Sequence, residues 1–304
     1  MYLEEGSPSW IYILIVLSIV ILILTGLKKF CLRAKKKEGF SQDEDFVLKQ
    51  DGESYDTFYV QEYDDLMKTE ERLQFEVAHV LKTNPSLRES VFLDIGCGTC
   101  GLMSELHNYG FRTFGLDKSA AAVEFAEKKN KDLEVKLGDG NVLMTYDKGT
   151  FTHITCMYFT VYEFENKALL FRNISHWLQR GGYFILHLVE GDKFEMIAPC
   201  AKVRNDLVNE FSKERIMKST VTMPTYVYGA KYSPIVSSKD YLFEETFKSN
   251  DYKNTRVNSR RLYMESKQEI ISALKKLGFE LWDETSYESQ CGTKFSSLYT
   301  FFKI

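Results

Sequence analysis

Cysteine is sparse and unorganised in this sequence. Its six cysteines (Cys31, Cys97, Cys100, Cys156, Cys200 and Cys291) are scattered over 304 residues. They lack the density of a disulfide-stapled domain and read as reduced thiols of a cytosolic compartment. Cys97 and Cys100 form a C-x-x-C without the partners that a zinc or redox site needs. They read as two small residues filling a tight loop, and no metal is expected. Positive charge is not in excess either: 39 basic against 43 acidic residues leave a net charge of −4, so nothing global points to nucleic acid. Repeats and low-complexity tracts are absent too.

Long hydrophobic runs are also missing, with one exception. Trp10 to Leu27, "WIYILIVLSIVILILTGL", carries no charge. As a helix it would span about 27 Å, enough for the hydrocarbon core of a bilayer. Trp10 and Tyr12 stand at one end, where amphipathic rings favour the interface; Lys28, Lys29, Arg33, Lys35, Lys36 and Lys37 follow the other. The positive-inside rule then puts the N-terminus outside or in a lumen and the bulk of the chain in the cytoplasm. A cleaved signal peptide would carry its charge on the opposite side. Residues 1–37 therefore read as a single-pass transmembrane anchor whose basic stretch meets anionic lipid, with Cys31 as a weak palmitoylation candidate. The acidic stretch 38–53 reads as a solvated linker.

Residues 54–304 read as one α/β domain. Tyr55, Tyr59 and Tyr63 recur at helical spacing, and Leu73, Val77, Val80 and Leu81 form a second stripe opened by Thr69. Strands are expected at Val91–Ile95, Arg112–Leu116, Leu133–Leu137, Phe151–Tyr158 and Tyr183–Val189. Helices fall between them at Cys100–Tyr109, Ala120–Lys129 and Lys167–Leu178, the last closed by Gly181-Gly182. Such alternation makes a mostly parallel sheet. A capping box at Ser266 and Glu269 opens another helix. Phe279–Trp282 and Leu298–Phe302 follow as an antiparallel pair, giving a seven-stranded sheet in all.

The first strand runs straight into "VFLDIGCGTCG" (Val91–Gly101). Gly96 and Gly98 permit a sharp turn and a close approach of main chain to a ligand. The next helix starts at once, with its free N–H groups at the same spot. Asp117 ends the second strand about 20 residues on, the offset of a carboxylate that grips a ribose diol. Asp94, two residues before the first glycine, "LGDG" (Leu137–Gly140) after the third strand, and the terminal antiparallel pair speak against a nicotinamide or flavin site.

Together these features resemble the class I S-adenosylmethionine-dependent methyltransferases. "LDIGCGTCG" matches the first motif of that family, "FGLDKS" the second-strand acidic motif and "LGDG" the adenine-side motif. "ITCMYFTVYEF" and "WLQRGGYFILHL" resemble its segments around strands four and five. The wording "ITCMYFTVYEF…GGYFILHLVEGDKF" is similar to members from large DNA viruses. The resemblance covers residues 55–304 and is weak from 191 to 264. It implies a Rossmann-like fold and S-adenosyl-L-methionine as cofactor. Gly96, Cys97 and Gly98 would lie under the methionine moiety and Asp94 would face its amino group. Asp117 would hold the ribose, Lys118 would flank the adenine, and Asp139 and Gly140 would meet its edge. Met157 and Tyr158 would line the sulfonium, while Tyr55 and Tyr63 would belong to a lid helix. Two departures stand out: Cys100 replaces the third glycine, and Thr152 replaces the usual aspartate of strand four.

Acceptor-side candidates lie at the carboxyl ends of strands four and five: Tyr162 and Glu163, then His187, Glu190 and Asp192. Tyr162, His187 and Glu190 are the catalytic candidates. Residues 191–264 read as an acceptor-side insertion of antiparallel strands. Its Arg256, Arg260 and Arg261 are too few for a nucleic-acid footprint but suit a carboxylate or phosphate. The resulting expectation is a membrane-anchored methyltransferase acting on a small molecule or a protein. A catalytically silent cofactor-binding or interaction module at a membrane, or an NAD-dependent enzyme, is the alternative.

Overall fold

The computed structural model describes residues 14, 16–18, 42–195, 199–201, 215–288 and 293–304. Most of the apolar run 10–27, all of the basic stretch 28–37 with Cys31, and Cys291 lie outside them. Among the described residues no helix is long and apolar enough to cross a membrane. Residues 14 and 16–18 are helical, and Leu14, Val16 and Leu17 are exposed.

Seven strands build the main sheet. They are β2 (Val91–Ile95), β3 (Arg112–Asp117), β4 (Glu134–Leu137), β5 (Phe151–Cys156), β6 (Leu178–Val189), β11 (Phe279–Ser286) and β12 (Ser296–Lys303). Their order is β11-β12-β6-β5-β2-β3-β4. Strands β4, β3, β2, β5 and β6 run parallel, and β12 inserts antiparallel between β6 and β11. The apolar run of β2 is buried after its first residue, as a strand covered on both faces requires. The expected strands are all present, as is the antiparallel end. Boundaries differ: β5 ends at Cys156, short of Met157 and Tyr158, and β11 runs on to Ser286. Gly181 and Gly182 lie inside β6, which begins at Leu178 directly after the helix. There a Cβ on Gly182 would come 2.7 Å from the Thr152 carbonyl oxygen, so the pairing of β5 with β6 demands glycine.

The helices open where the sequence places side-chain caps. Asp56 caps α1 (Thr57–Met67), Thr69 caps α2 (Glu70–Leu81) and Ser119 caps α4 (Ala120–Lys129), each accepting from a backbone N–H of the first turn. Between them α3 (Gly101–Asn108) follows the glycine loop, and α5 (Lys167–Trp177) leads into β6. The capping box of Ser266 and Glu269 opens α6 (Lys267–Lys276).

A second sheet stands apart from the first. Its order is β1-β10-β9-β8-β7, from β7 (Lys218–Thr222), β8 (Tyr226–Pro234), β9 (Tyr241–Ser249), β10 (Thr255–Leu262) and β1 (Phe46–Gln50). The insertion is thus antiparallel strands, as expected. The linker reading of 38–53 is corrected: residues 46–50 are a strand running parallel to β10, with Phe46 opposite Thr255. Its pairing partner lies some two hundred residues away, so nothing local in the acidic stretch marks it. This sheet covers α1. Phe58 packs edge-on against Phe247 at 5.2 Å, Tyr226 donates to Glu62 at 2.7 Å, and Arg256 holds both oxygens of Asp56 at 2.8 and 3.0 Å. Burial of rings such as Phe247 and Tyr226 contributes about 1.5–3 kcal/mol each, which holds α1 against this sheet.

Candidate active site

The chain leaves β2 through three left-handed residues. Gly96 has φ +66°, Gly98 +53° and Cys100 +58°. A Cβ on Gly96 would lie 2.4 Å from Thr160 Cγ2, so the loop presses directly on the chain after β5. Over Gly98 nothing stands within 4 Å. Asp117, at the end of β3, fastens this loop: its Oδ2 accepts from Gly98 N–H and its Oδ1 from Ser119 N–H, both at 2.8 Å. A carboxylate offers about four lone-pair sites, so two are left for a ligand. Ser119 also donates to the Tyr55 carbonyl at 2.6 Å. Thr99 donates to Asp64, which pairs with Lys129 at 2.7 Å, and so α1 is held over the loop.

These groups surround a cleft of about 740 Å³, partly open to solvent. Gly96, Gly98, Asp117, Lys118, Asp139, Gly140, Tyr55 and Tyr63 all line it, as the sequence indicates. Burial pushes the Asp117 carboxyl above its ordinary range, while the Ser119 and Gly98 N–H groups pull it back. One Asp139 oxygen accepts from Asn141 N–H at 2.8 Å.

Four of the expected cofactor residues sit elsewhere. Asp94 is buried behind the loop and accepts from Thr155 Oγ1 at 2.7 Å. Burial pushes its carboxyl up to about 7 despite that bond. Cys97 points into β3, where a Cβ on Gly115 would meet its Sγ at 2.7 Å. Cys100 and burial raise its thiol pKa, so it is an inert filler. Met157 packs among Leu73, Phe92 and Ile185. Tyr158 turns away from the cleft in a left-handed conformation, φ +51°, which is rare for an aromatic residue. The three-residue turn after β5 causes both departures.

Tyr158 instead lines a second pocket, of about 390 Å³ including the space open to solvent. Tyr55, Tyr63, Thr160 and Glu163 line both hollows and so form the wall between them. The far side of the second pocket comes from the five-stranded sheet: Phe243, Arg260 and Leu262. Arg260 is buried. It pairs with Glu245 at 2.6 Å, donates to Tyr59 at 3.1 Å, and lies 4.8–5.1 Å from the rings of Tyr55, Tyr59 and Phe243. Tyr55 donates its hydroxyl to Glu163 Oε1. Burial holds the Tyr55, Tyr59, Tyr63 and Tyr158 hydroxyls above their usual range, so they remain protonated donors.

None of the three catalytic candidates reaches either hollow. His187 is buried, with Nδ1 on the Tyr158 carbonyl and Nε2 2.6 Å from Ser296 Oγ. A carbonyl only accepts, so Nδ1 carries the proton and Nε2 accepts from Ser296. Burial lowers this histidine to about 4, so at neutral pH it is an uncharged support for Tyr158. The Tyr162 hydroxyl accepts from Val189 N–H at 2.9 Å inside the core. Glu190 pairs with Lys193 at 2.8 Å and Lys267 at 3.0 Å. Of the sequence candidates at these strand ends, Glu163 is the one facing the pockets. Thr160 and Phe243 join the lining without a signal of their own in the sequence, whereas Arg260 belongs to the basic group expected to suit a carboxylate or phosphate, and Glu245 takes its charge instead.

Residues 93–186 match the methyltransferase domain family. A curated relative, the cypemycin N-terminal methyltransferase of a Streptomyces species, is 32% identical over 107 residues, 34% of this chain and 43% of the relative. The chain thus spans less than half the length of that relative. A Clostridium acetobutylicum S-adenosylmethionine-dependent methyltransferase superposes with a TM-score of 0.61 at 16% identity, over 81% of this chain and 96% of that one. CalS10 of Micromonospora echinaspora, an amino pentose methyltransferase solved with S-adenosylmethionine bound, gives 0.55 at 17% identity, over 78% and 92%.

Proposed function

We propose that this chain, which belongs to the class I S-adenosylmethionine-dependent methyltransferases, is a membrane-anchored enzyme that methylates a small molecule or a protein. The observation that carries the reading is Asp117, clamped to the glycine loop at 2.8 Å with acceptor capacity to spare beside open space over Gly98. S-adenosylmethionine is the cofactor of the family, and it supplies a methyl group on a cationic sulfur. Asp117 accepts from the ribose hydroxyls. Asp139 and Gly140 meet the adenine edge, and Lys118 lies along its flank. Tyr55 and Tyr63 close the cleft from above, excluding water, and the second pocket takes the acceptor. Orientation in a water-poor cavity is the main demand of such a transfer. The anchor rests on the uncharged run 10–27 and the basic residues behind it; Leu14, Val16 and Leu17, helical and exposed, suit a lipid-facing surface.

Calorimetry on the full-length protein in detergent tests the reading. S-adenosylmethionine and S-adenosylhomocysteine bind and NAD does not. Asp117→Ala weakens both by more than tenfold, since a hydrogen bond to a charged group contributes about 1.5–3 kcal/mol. Binding of NAD in their place sinks the cofactor reading. Recovery of the full chain in the soluble fraction, with no detergent, sinks the anchor.

A further inference from the structure

We propose that the second pocket takes its acceptor as an amine, and that Glu163 holds the ammonium form and accepts its proton. This rests on the reading of the first cleft as the S-adenosylmethionine site.

The placement comes first. Glu163 lines both hollows, so its carboxylate stands where donor and acceptor meet. Charge comes second. Methyl transfer moves a positive charge from sulfur to the acceptor when the acceptor is a neutral amine. The pocket suits that movement. Tyr59, Tyr63, Tyr158 and Phe243 line it, and aromatic side chains here already hold cations, Arg260 beside Tyr59 and Phe243 and Arg72 beside Tyr158. Arg260, the one cation among the described lining residues, is already matched by the buried Glu245 at 2.6 Å. Glu163 therefore leaves the pocket with a net negative charge, which draws in an ammonium and repels an anionic oxygen acceptor.

Proton affinity comes third. An alkylammonium gives up its proton far more readily than an alcohol does, so a positioned carboxylate suffices as base for the first and not for the second. Tyr55 donates to Glu163 Oε1 and, kept protonated by burial, leaves the carboxylate as the proton acceptor. The step balances. The ammonium loses a proton to a Glu163 oxygen, the freed pair forms the N–C bond, and the S–C pair stays on sulfur as a neutral thioether. Glu163 is half-buried and returns its proton to water.

The test uses the full-length protein saturated with S-adenosylhomocysteine and two matched probe pairs: isobutylamine against isobutanol, and phenethylamine against 2-phenylethanol. Calorimetry at neutral pH is expected to show at least one amine binding tenfold or more tighter than its alcohol. Glu163→Gln, which keeps the bond from Tyr55, erases that preference in a protein that still binds S-adenosylhomocysteine. With labelled S-adenosylmethionine, mass spectrometry finds the label on the amine alone. Equal binding of amine and alcohol, a preference that survives Glu163→Gln, or no amine binding to a protein that still binds S-adenosylhomocysteine overturns the assignment. Loss of S-adenosylhomocysteine binding by the unmodified protein would instead strike the cofactor reading on which it rests.

Discussion

The wall that the parallel sheet gives to the paired hollows has bare main chain at four glycines, Gly96, Gly98, Gly138 and Gly140, set around Asp117, whereas the five-stranded sheet contributes side chains, Phe243, Arg260 and Leu262. The first wall is made by loops that follow their strands immediately. The second is assembled from residues far apart in the chain, with Arg260 on β10 bonded to Tyr59 on α1 across 201 positions. A main-chain wall binds through N–H groups and open space, so its shape survives most changes in side chain. A side-chain wall can be rewritten one residue at a time, which suits the side that must recognise a particular acceptor.

That contrast is broken most severely at Arg260. Replacing it by methionine strands Glu245, which is fully buried; breaking a buried pair costs about 3–5 kcal/mol. Thermal denaturation is expected to register a loss of this size, and Glu245→Gln in the same chain to recover much of it. If Arg260→Met costs under about 1 kcal/mol, below even that range, the ion pair is not the frame of the acceptor wall. The main-chain wall breaks differently. Gly96→Ala places an alanine at φ +66° with its Cβ 2.4 Å from Thr160. The left-handed backbone alone costs about 1–2 kcal/mol. We expect S-adenosylhomocysteine affinity to fall more than tenfold, with partial return when Thr160→Ala makes room. Unchanged affinity in Gly96→Ala would show that the loop has slack.

The two walls also differ in how far they could be read from the chain itself. Gly96, Gly98, Asp117, Asp139 and Gly140 are placed by strand ends, and strand ends show in local hydrophobic pattern. Asp94 has the same pattern yet does not line the cleft, because its carboxylate accepts from Thr155 behind the loop. Tyr162 and Glu163 are neighbours in sequence, yet the short 3-10 turn at Thr160–Glu163 buries one and turns the other to the pockets. No periodicity distinguishes them. Arg260 needs knowledge that β10 lies beside β1 and over α1, contacts of high sequence separation. The strand at 46–50 is hidden for the same reason, since its acidic surroundings speak of solvent and its partner is remote.

His187 stands behind the second pocket, bonded to the carbonyl of the left-handed Tyr158. Its folded value of about 4 lies below the ordinary 6.5. The unfolded chain therefore binds more protons between these values, and stability rises with pH there. The contribution is complete above pH 6.5 and is lost as pH falls toward 4. His79 and His153, both lowered to about 4 by burial, act with the same sign, while Asp94, raised to about 7, acts with the opposite one. The comparison that isolates His187 is His187→Asn against the parent, with denaturant midpoints at pH 7 and pH 5. We expect the variant to lose less stability on acidification. An equal loss in both would mean that His187 is protonated in the folded state.

Glu190 supplies the smallest effect and sharpens the boundary of the site. It stands at the carboxyl edge of β6, where sequence position alone makes it as good a base as Glu163. Its oxygens are turned to Lys193 and Lys267, which hold its carboxyl below the usual range. A base in this position would face a pocket, and Glu190 faces neither. Exposed pairs of this kind contribute about 0–1 kcal/mol. Glu190→Gln should therefore shift stability by no more than that and leave cofactor affinity and methyl transfer at the parent level, while Glu163→Gln abolishes the amine preference. A strong loss of transfer in Glu190→Gln would move the reacting end of the acceptor from the α1 side of the sheet to the β6 loop, and the division into a main-chain wall and a side-chain wall would no longer describe where the chemistry occurs.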